Sequence, residues 1–468
     1  MMFAPATSLS RRSFMGGVCA TAALAATRGF AQQSNEVVLS GGHIVSMDPD
    51  IGDLERGDIL IRDGAIAEIA PSISGGARRI DMAGRVVMPG FVDTHWHMWN
   101  TIARGLPRSR LGPFGKTMPA LAKVWTPQAS ALSIRLAVAE AVNSGITTIH
   151  NWAHNTAGLE FAEAELEAMR ASGLRGRFSH GYPQLLKLGD RMDFAALEDF
   201  QRRHFGGEGQ GADMIELGLC TREPDRSQDA IWREEWEIAR RLGIPVTTHI
   251  ASDRKAAAMG SIRKMADSNL LGPDIQLMHA THASDEDLAL VKKAGSPVSI
   301  SPWTELEVGY GVPPAARLAA SGVEMGLSVD NMVLAGNADM FSVMKLTADL
   351  AAGSAEKQAV LPDRKVLERA MISGARTLGL NDVTGSLKVG KRADIIAARA
   401  DGINTRPAGT IDFMLTHAAQ PANVDLVMVD GEIHKENSRL ARIDGAALTA
   451  EADEMIAHFS EQAGLTDG

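Results

Sequence analysis

Between residues 86 and 330 the sequence alternates short apolar runs typical of β-strands with segments typical of helices. The eight runs are residues 86–94, 145–149, 174–178, 214–219, 244–248, 275–278, 297–300 and 323–329. The clearest helical segments are residues 129–144, 228–242 and 284–294, each followed by a glycine that should end it. This alternation predicts an α/β fold, a parallel (β/α)8 TIM barrel. An open doubly wound sheet would need a glycine-rich turn after its first strand, and none follows here.

Short strands are also predicted on both sides of this region. Residues 36–85 contain β-like runs separated by Gly41-Gly42 and Asp63-Gly64, which are turn signals. We predict that the two chain ends pair into a small β-sandwich domain of residues 32–85 and 389–436. The barrel then takes residues 86–388, and residues 437–468 form a C-terminal helical extension.

The N-terminal segment, residues 1–31, has the pattern of a twin-arginine signal peptide. Arg11-Arg12 precede a weakly apolar run, and Gly29 and Ala31 are the small residues expected before a cleavage site. We therefore expect a periplasmic protein exported, already folded, by the twin-arginine export machinery.

The charge balance narrows the class of partner. The net charge is −10, and no basic block is present. Apart from the N-terminal segment, no apolar run approaches the roughly 20 residues of a membrane-spanning helix. The sequence thus predicts a small-molecule substrate and neither nucleic acid nor membrane as a partner. It leaves a homo-oligomer open.

Histidines concentrate where the predicted strands end. Of the 13 in the chain, eight lie at or just after a strand end: His95, His97, His150, His154, His180, His249, His279 and His282. His95 and His97 are two residues apart, so on a strand they point to the same side. Neutral imidazole is a common ligand of divalent transition metals. Because the strand ends of a parallel barrel meet at one edge, we predict a metal site there.

On these residues the chain resembles the amidohydrolase superfamily, and most closely its branch of triazine hydrolases and cytosine, guanine and adenosylhomocysteine deaminases. The resemblance spans about residues 36–436. Its specific motifs are PGFVDTHWH at 89–97, SGITT at 144–148, MHATHASDE at 278–286, GLSVD at 326–330, ARTLGL at 375–380 and GSLKVGKRAD at 385–394.

The resemblance implies one divalent metal held by His95, His97, His249 and Asp330. Zinc is the first expectation, although iron, cobalt and manganese suit the same ligands. His279 would polarise the substrate carbonyl or steer the attacking water, and Asp330 would transfer protons. Residues 214–220 on the fourth strand contain no lysine that could bridge two metals, so a mononuclear site is expected.

One departure from the family pattern affects the predicted reaction. Deaminases of this branch usually carry Glu three residues after the strand-five histidine, where it protonates a ring nitrogen, but this chain has Ser252. Glu305 is our candidate for the missing acid–base group, and Asp253 is another. The strand-seven segment also resembles, more loosely, that of phenylurea and thiocarbamate hydrolases, which act on acyclic bonds.

Aromatic residues near the strand ends favour an apolar or aromatic substrate. The predicted substrate contacts are Trp99, Trp152, Tyr182, His282 and Trp303. We predict a metal-dependent amidohydrolase that cleaves an amide, urea, carbamate or related C–N bond. The alternatives are a deaminase or dechlorinase of a nitrogen heterocycle and, in a different class, a non-catalytic periplasmic binding protein.

Overall fold

The computed structural model describes residues 36–108, 112–187, 189–206 and 214–465. The predicted signal peptide, residues 1–31, lies outside the described residues. Among the described residues, no helix has both the length and the apolar character needed to cross a membrane.

Strands and helices alternate through the middle of the chain. In chain order the strands are β1 (Glu36–Val45), β2 (Asp53–Arg62), β3 (Ala65–Ala70), β4 (Arg78–Asp81), β5 (Arg85–Pro89), β6 (Phe91–Trp96), β7 (Ile146–Ala153), β8 (Arg175–His180), β9 (Ile215–Cys220), β10 (Val246–Ile250), β11 (Ile275–His279), β12 (Val298–Ile300), β13 (Met325–Leu327), β14 (Ile395–Arg399), β15 (Val424–Val429), β16 (Glu432–Glu436) and β17 (Arg439–Leu440). The helices are α1 (Phe114–Ala122), α2 (Pro127–Ser144), α3 (Leu159–Ser172), α4 (Phe194–Phe205), α5 (Asp229–Leu242), α6 (Arg254–Ala257), α7 (Ser261–Asp267), α8 (Asp285–Ala294), α9 (Pro302–Glu307), α10 (Ala315–Ser321), α11 (Met332–Ala335), α12 (Met340–Ala355), α13 (Asp363–Ala370), α14 (Ile372–Thr377), α15 (Ile411–Phe413) and α16 (Gly445–Gln462).

Strands β6 to β13 form an eight-stranded parallel sheet in sequential order. A parallel bridge between Trp96 and Asp330 brings its first and last strands together. The backbone N–H of Asp330 donates to the His95 carbonyl at 2.9 Å. The Asp93 carboxylate accepts the backbone N–H groups of His95, at 3.1 Å, and of Val329, at 2.7 Å. This nearly closed barrel confirms the predicted fold class.

The helices around the barrel begin and end where their sequences supply caps. Helix α2 follows Thr126, whose hydroxyl accepts the Ala129 N–H, and it ends at Gly145 with φ of 91°. Helix α8 begins with a capping box in which the side chains of Ser284 and Asp287 each accept the other's backbone N–H. The three helices predicted from periodicity begin within two residues of their observed starts.

A second, mixed sheet is built from both ends of the chain. Its strand order is β17-β16-β15-β14-β5-β1-β2-β3, and β4 pairs with β1. This arrangement confirms that the two chain ends form one small β-structure beside the barrel. The Gly41-Gly42 pair, predicted as a turn, instead forms an irregularity within the continuous strand β1. Residues 437–468 supply β17 and the helix α16.

The run of residues 86–94, predicted as one strand, is divided at Gly90. Strand β5 pairs with β14 in the mixed sheet, whereas β6 pairs with β7 in the barrel. A Cβ atom on Gly90 would lie 2.1 Å from Oγ1 of Thr147, so only glycine fits this junction. The predicted domain boundary at residue 86 therefore falls inside β5.

Candidate metal centre

The residues predicted as metal ligands come together at one edge of the barrel. His95 lies in β6 and His97 just after it, His249 lies in β10, and Asp330 follows β13. The Nε2 atom of His249 is 3.3 Å from Nε2 of His95 and 3.3 Å from Nε2 of His97. Oδ1 of Asp330 is 3.2 Å from Nε2 of His95 and 3.4 Å from Nε2 of His97.

These separations fit a tetrahedral metal site. With metal–ligand distances of about 2.0–2.1 Å, neighbouring ligand atoms of a tetrahedron lie about 3.3–3.4 Å apart. The four observed separations are 3.2–3.4 Å. Three imidazoles and one carboxylate suit zinc and other divalent transition metals. The residues present therefore fit a single divalent cation.

Burial keeps the three histidines of this set neutral. It lowers the pKa of His95 below its ordinary value and holds the pKa values of His97 and His249 well below it. Nearby imidazoles lower the last two further. A neutral imidazole has a lone pair to give, so these side chains are in the protonation state that metal binding requires.

His279, the last residue of β11, faces the same centre from the next strand. Its Nε2 lies 3.9 Å from Oδ2 of Asp330, and its Nδ1 lies 3.0 Å from Oε1 of Glu305. Burial lowers the pKa of His279, but the hydrogen bond to Glu305 and the charge of Asp330 outweigh it and raise the pKa above its ordinary value. The backbones of His279 and Asp330 have φ of 69° and 63°. Such left-handed conformations cost roughly 1–3 kcal/mol each in a non-glycine residue and concentrate at functional sites.

Glu305 lies behind His279. The sequence suggests it as an acid–base group in contact with substrate. In the structure its side chain is fully buried, and Oε1 also accepts the Ser301 N–H at 2.9 Å. Glu305 is not among the described residues that line the cavity. The reason is the turn into α9, which carries Glu305 back toward β11. Its position suits orienting His279 rather than contacting substrate.

A cavity of about 700 Å³ opens above the predicted ligands, within the roughly 300–1,000 Å³ typical of small-molecule sites. Two predicted substrate contacts, Trp99 and Tyr182, line it together with Phe114 and Tyr310. The cavity can therefore accept an aromatic ring between aromatic walls.

The other three predicted substrate contacts lie away from the cavity lining. The ring of Trp152 stacks on the predicted ligand His249, with centroids 4.2 Å apart. His282 contacts the Tyr310 carbonyl through Nε2 at 2.6 Å. Trp303 lies 40% exposed on α9. Other contacts hold the three side chains: Trp152 is fully buried within β7, His282 is bound to the Tyr310 carbonyl, and Trp303 donates to Oγ of Ser342 at 3.2 Å.

Glu223, which follows the fourth barrel strand β9, was given no role in the sequence analysis. In the structure Glu223 lines the cavity, and its Oε1 lies 3.6 Å from Nδ1 of His249. Burial raises its pKa above the ordinary value, and Arg226 opposes that shift. Ser252, which stands where the branch usually has Glu, is buried beside this wall. The strand-end position of Glu223 was the signal available in the sequence.

Asp253, the other acid–base candidate, also lines the cavity. Its carboxylate caps helix α6 by accepting the Ala256 N–H at 2.8 Å, and it pairs with Arg226 at 3.0 Å. Arg226 also pairs with Glu223, so this ion pair does not separate the two carboxylates. The helix-capping hydrogen bond from Ala256 lowers the pKa of Asp253, whereas burial raises the pKa of Glu223.

Comparison with known proteins agrees with this geometry. The sequence model of the amidohydrolase family matches residues 86–434. The 5'-deoxyadenosine deaminase of Methanosarcina acetivorans is 28% identical over 428 residues, which cover 89% of this chain and 96% of that protein. The 5-methylthioadenosine/S-adenosylhomocysteine deaminase of Symbiobacterium thermophilum is 27% identical over 430 residues, which cover 86% of this chain and 94% of that protein.

Solved structures show the same fold. An adenosine deaminase from Xanthomonas campestris with bound zinc superposes with a TM-score of 0.81 at 22% identity, covering 91% of this chain and 98% of that one. An atrazine chlorohydrolase from Arthrobacter aurescens TC1 complexed with zinc gives 0.80 at 20% identity, covering 90% and 100%.

These relatives overturn one prediction. The periplasmic location inferred from residues 1–31 is wrong, because the proteins that match along nearly their whole length are 5'-deoxyadenosine deaminases. A basic pair before a weakly apolar run is a short pattern, and it carries far less information than a relationship spanning more than 400 residues.

Proposed function

Because this chain belongs to the amidohydrolase family, we propose that it is a metal-dependent deaminase of an adenine nucleoside of the 5'-deoxyadenosine class. The observation that carries the proposal is the relationship to 5'-deoxyadenosine deaminases over 89–91% of the chain. Of the two reactions that the sequence left open, this relationship favours deamination of a heterocycle over cleavage of an acyclic C–N bond.

In this proposal His95, His97, His249 and Asp330 hold one divalent metal, with zinc as the first candidate. Such an ion supplies a water whose pKa is lowered toward about 7, so that a nucleophile is available at neutral pH. The zinc in the related structures supports this assignment.

The chain's own residues move the protons. Asp330 takes a proton from the attacking water through Oδ2 and delivers it to the amino group of the purine. A C–O bond forms, the C–N bond breaks, and ammonia leaves with the transferred proton. His279 keeps Nε2 toward Asp330 because Glu305 holds its Nδ1 proton. It thereby orients the reacting oxygen.

A proton must also reach the ring nitrogen beside the reacting carbon. Ser252 cannot supply it at neutral pH, since a hydroxyl is too weak an acid. Among the described residues, Glu223 is the cavity-lining carboxyl group next to His249. We assign the ring-nitrogen proton to Glu223, which follows the fourth barrel strand, whereas the usual glutamate follows the fifth. The second proton of the attacking water returns to the Glu223 carboxylate as the C=O bond of the product forms.

The cavity wall supports an aromatic base as substrate. The partly exposed rings of Phe114 and Tyr182 line it and offer apolar faces to a purine, and the fully buried Trp99 lies behind them. Polar side chains of the same wall, among them Gln184 and Asn331, can meet the heteroatoms of a nucleoside.

A second candidate, hydrolysis of an acyclic amide, urea or carbamate, is favoured by one observation. Ser252 replaces the acid that a ring nitrogen needs, and an acyclic substrate has no such nitrogen.

Parallel assays of the zinc-loaded protein separate the two candidates. Ammonia release is measured with 5'-deoxyadenosine, 5'-methylthioadenosine and S-adenosylhomocysteine, and product release with anilides, phenylureas and carbamates. We expect one ammonia per purine converted and no turnover of the acyclic panel. Turnover of a carbamate or urea without ammonia from any nucleoside would contradict the proposal and establish the second candidate.

A further inference from the structure

His154 contacts one of the predicted metal ligands from the side opposite the metal. It is the first residue after β7, and its Nδ1 lies 3.0 Å from Nδ1 of His97. The other ring nitrogen of His97, Nε2, lies 3.3 Å from Nε2 of His249 and 3.4 Å from Oδ1 of Asp330. One ring nitrogen of His97 therefore faces His154, and the other faces the predicted metal ligands His249 and Asp330.

The contact fixes where the protons lie. Two ring nitrogens at hydrogen-bond distance share a single proton, so one donates and the other accepts. If His97 binds a metal through Nε2, that nitrogen has no proton, and the proton of the ring must lie on Nδ1. Nδ1 of His97 then donates to Nδ1 of His154. The remaining proton of His154 must consequently lie on its own Nε2.

We propose that His154 is a positioning residue of the metal centre, which accepts the Nδ1 proton of His97 and so holds Nε2 of His97 toward the metal. This inference rests on the proposed metal-dependent function. Ligating histidines usually give their second N–H to a carboxylate or a carbonyl. Here an uncharged imidazole takes that place.

The surroundings of His154 hold its ring in this orientation. Its centroid lies 4.5 Å from that of His97, at an interplanar angle of 74°. Trp99 meets it edge-to-face at 5.4 Å, and the ring of Tyr182 lies 6.1 Å away on the cavity wall. Because Trp99 is fully buried, the imidazole has a rigid neighbour.

The test is the affinity for zinc, measured on the full-length protein by competition with a chromogenic chelator. In His154→Leu the acceptor is lost, and we expect the dissociation constant for zinc to rise about 10–100-fold. In His154→Asn the amide oxygen stands close to the place of Nδ1, and we expect a change within about threefold. The matched control is His180→Leu at the neighbouring strand end, where the ring packs 5.3 Å from Phe200. The dissociation constant of His180→Leu for zinc should also stay within about threefold of the wild-type value.

The inference is overturned if His154→Leu binds zinc as tightly as the wild type. It is also overturned if the Leu and Asn variants raise the dissociation constant for zinc equally. If the Leu variant does not fold, the tautomer is read in the zinc-loaded wild type by nitrogen NMR with labelled histidine. We expect a protonated Nδ1 on His97 and an unprotonated Nδ1 on His154, and the reverse assignment overturns the inference.

The proposed function and the role of His154 can be refuted separately. A wild-type protein that binds no zinc would remove the proposed function and this inference with it. A wild-type protein that binds zinc and deaminates a nucleoside, alongside an unweakened His154→Leu, would remove this inference alone.

Discussion

Nδ1 of His279 and Oε1 of Glu305 lie 3.0 Å apart, and both side chains are buried. Oε1 also accepts the Ser301 N–H, so it acts as an acceptor toward both groups. The carboxylate thus fixes the proton of His279 on Nδ1 and leaves Nε2 facing Asp330. This contact links helix α9 to the predicted metal centre.

Replacing Glu305 by Gln should therefore lower kcat and leave the metal in place. The amide keeps the volume and an acceptor but loses the charge that orients His279, and we expect a loss of about 10–100-fold. Steady-state kinetics and metal analysis of the same preparation check this. The control is Glu198→Gln on α4, a partly exposed carboxylate that is not among the described residues lining the cavity. Unchanged kcat in Glu305→Gln would contradict the positioning role.

Removal of the metal should abolish turnover. We expect dialysis against a chelator to remove all activity and zinc to restore it in the wild type. Asp330→Asn should stay about 10²–10⁴-fold less active even after loading, because the amide cannot take the proton of water. Asp349→Asn, an exposed carboxylate on α12, is the matched control. Full activity of Asp330→Asn would exclude the proposed proton transfer.

Glu223→Gln should lower ammonia release by about 10²-fold, since the amide cannot protonate a ring nitrogen. Zinc content should not change, because Glu223 lies 3.6 Å from the outer nitrogen of His249 and outside the ligand set. Kinetics with 5'-deoxyadenosine and metal analysis are the measurements. Asp253→Asn serves as the comparison, because the Asp253 carboxylate caps α6 and the hydrogen bond from Ala256 lowers its pKa, whereas burial raises the pKa of Glu223. A larger loss in Asp253→Asn would assign the acid to Asp253.

The barrel and the mixed sheet are joined by a buried ion pair. Arg175 at the start of β8 donates through Nε to Asp394 at 2.6 Å and through Nη2 to Asp430 at 3.0 Å. Asp394→Ala should lower the free energy of unfolding by about 3–5 kcal/mol, because it leaves the Arg175 charge buried with less compensation. Urea unfolding measures this. Asp401→Ala breaks an exposed pair and should cost at most about 1 kcal/mol. Equal losses would contradict the anchoring role.

Glu165 should make stability depend on pH. Burial raises its pKa to about 7, although Asn151 donates a hydrogen bond to it, against an ordinary value of 4.5. Between these values the folded protein holds the proton that the unfolded chain has released. The free energy of unfolding therefore falls as the pH rises from about 4.5 to 7. Glu165→Gln should flatten this slope relative to the wild type in unfolding measured at each pH. An unchanged slope would refute the assignment.

Much of the fold could be predicted because its signals are local. Apolar runs, helical periodicity and capping residues such as Thr126, Ser284 and Gly145 lie next to one another in the chain, and each acts within a few residues. The position of Gly90 shows the limit of this approach. Its clash partner, Thr147, is distant in sequence, so the division of residues 86–94 between two sheets needed the folded structure.

The sequence also determined which side chains meet at the barrel edge. Parallel strands end at the same side, so the sequence predicted that the strand-end histidines come together. The family resemblance then selected His95, His97, His249 and Asp330 among the strand-end residues as the predicted ligands. Because side chains alternate along a strand, the sequence also predicted that His95 and His97 point to the same side.

Only the tertiary structure decided which side chains contact and orient the predicted ligands. Once a strand ends, the direction of a side chain depends on the loop backbone, and His279 and Asp330 have positive φ values that no local pattern announces. The places of Glu305, Glu223 and His154 follow from such turns and from neighbouring elements packed against them. Residue type, spacing and family motifs can therefore predict a ligand set, whereas the partners that orient it are set by contacts between distant segments.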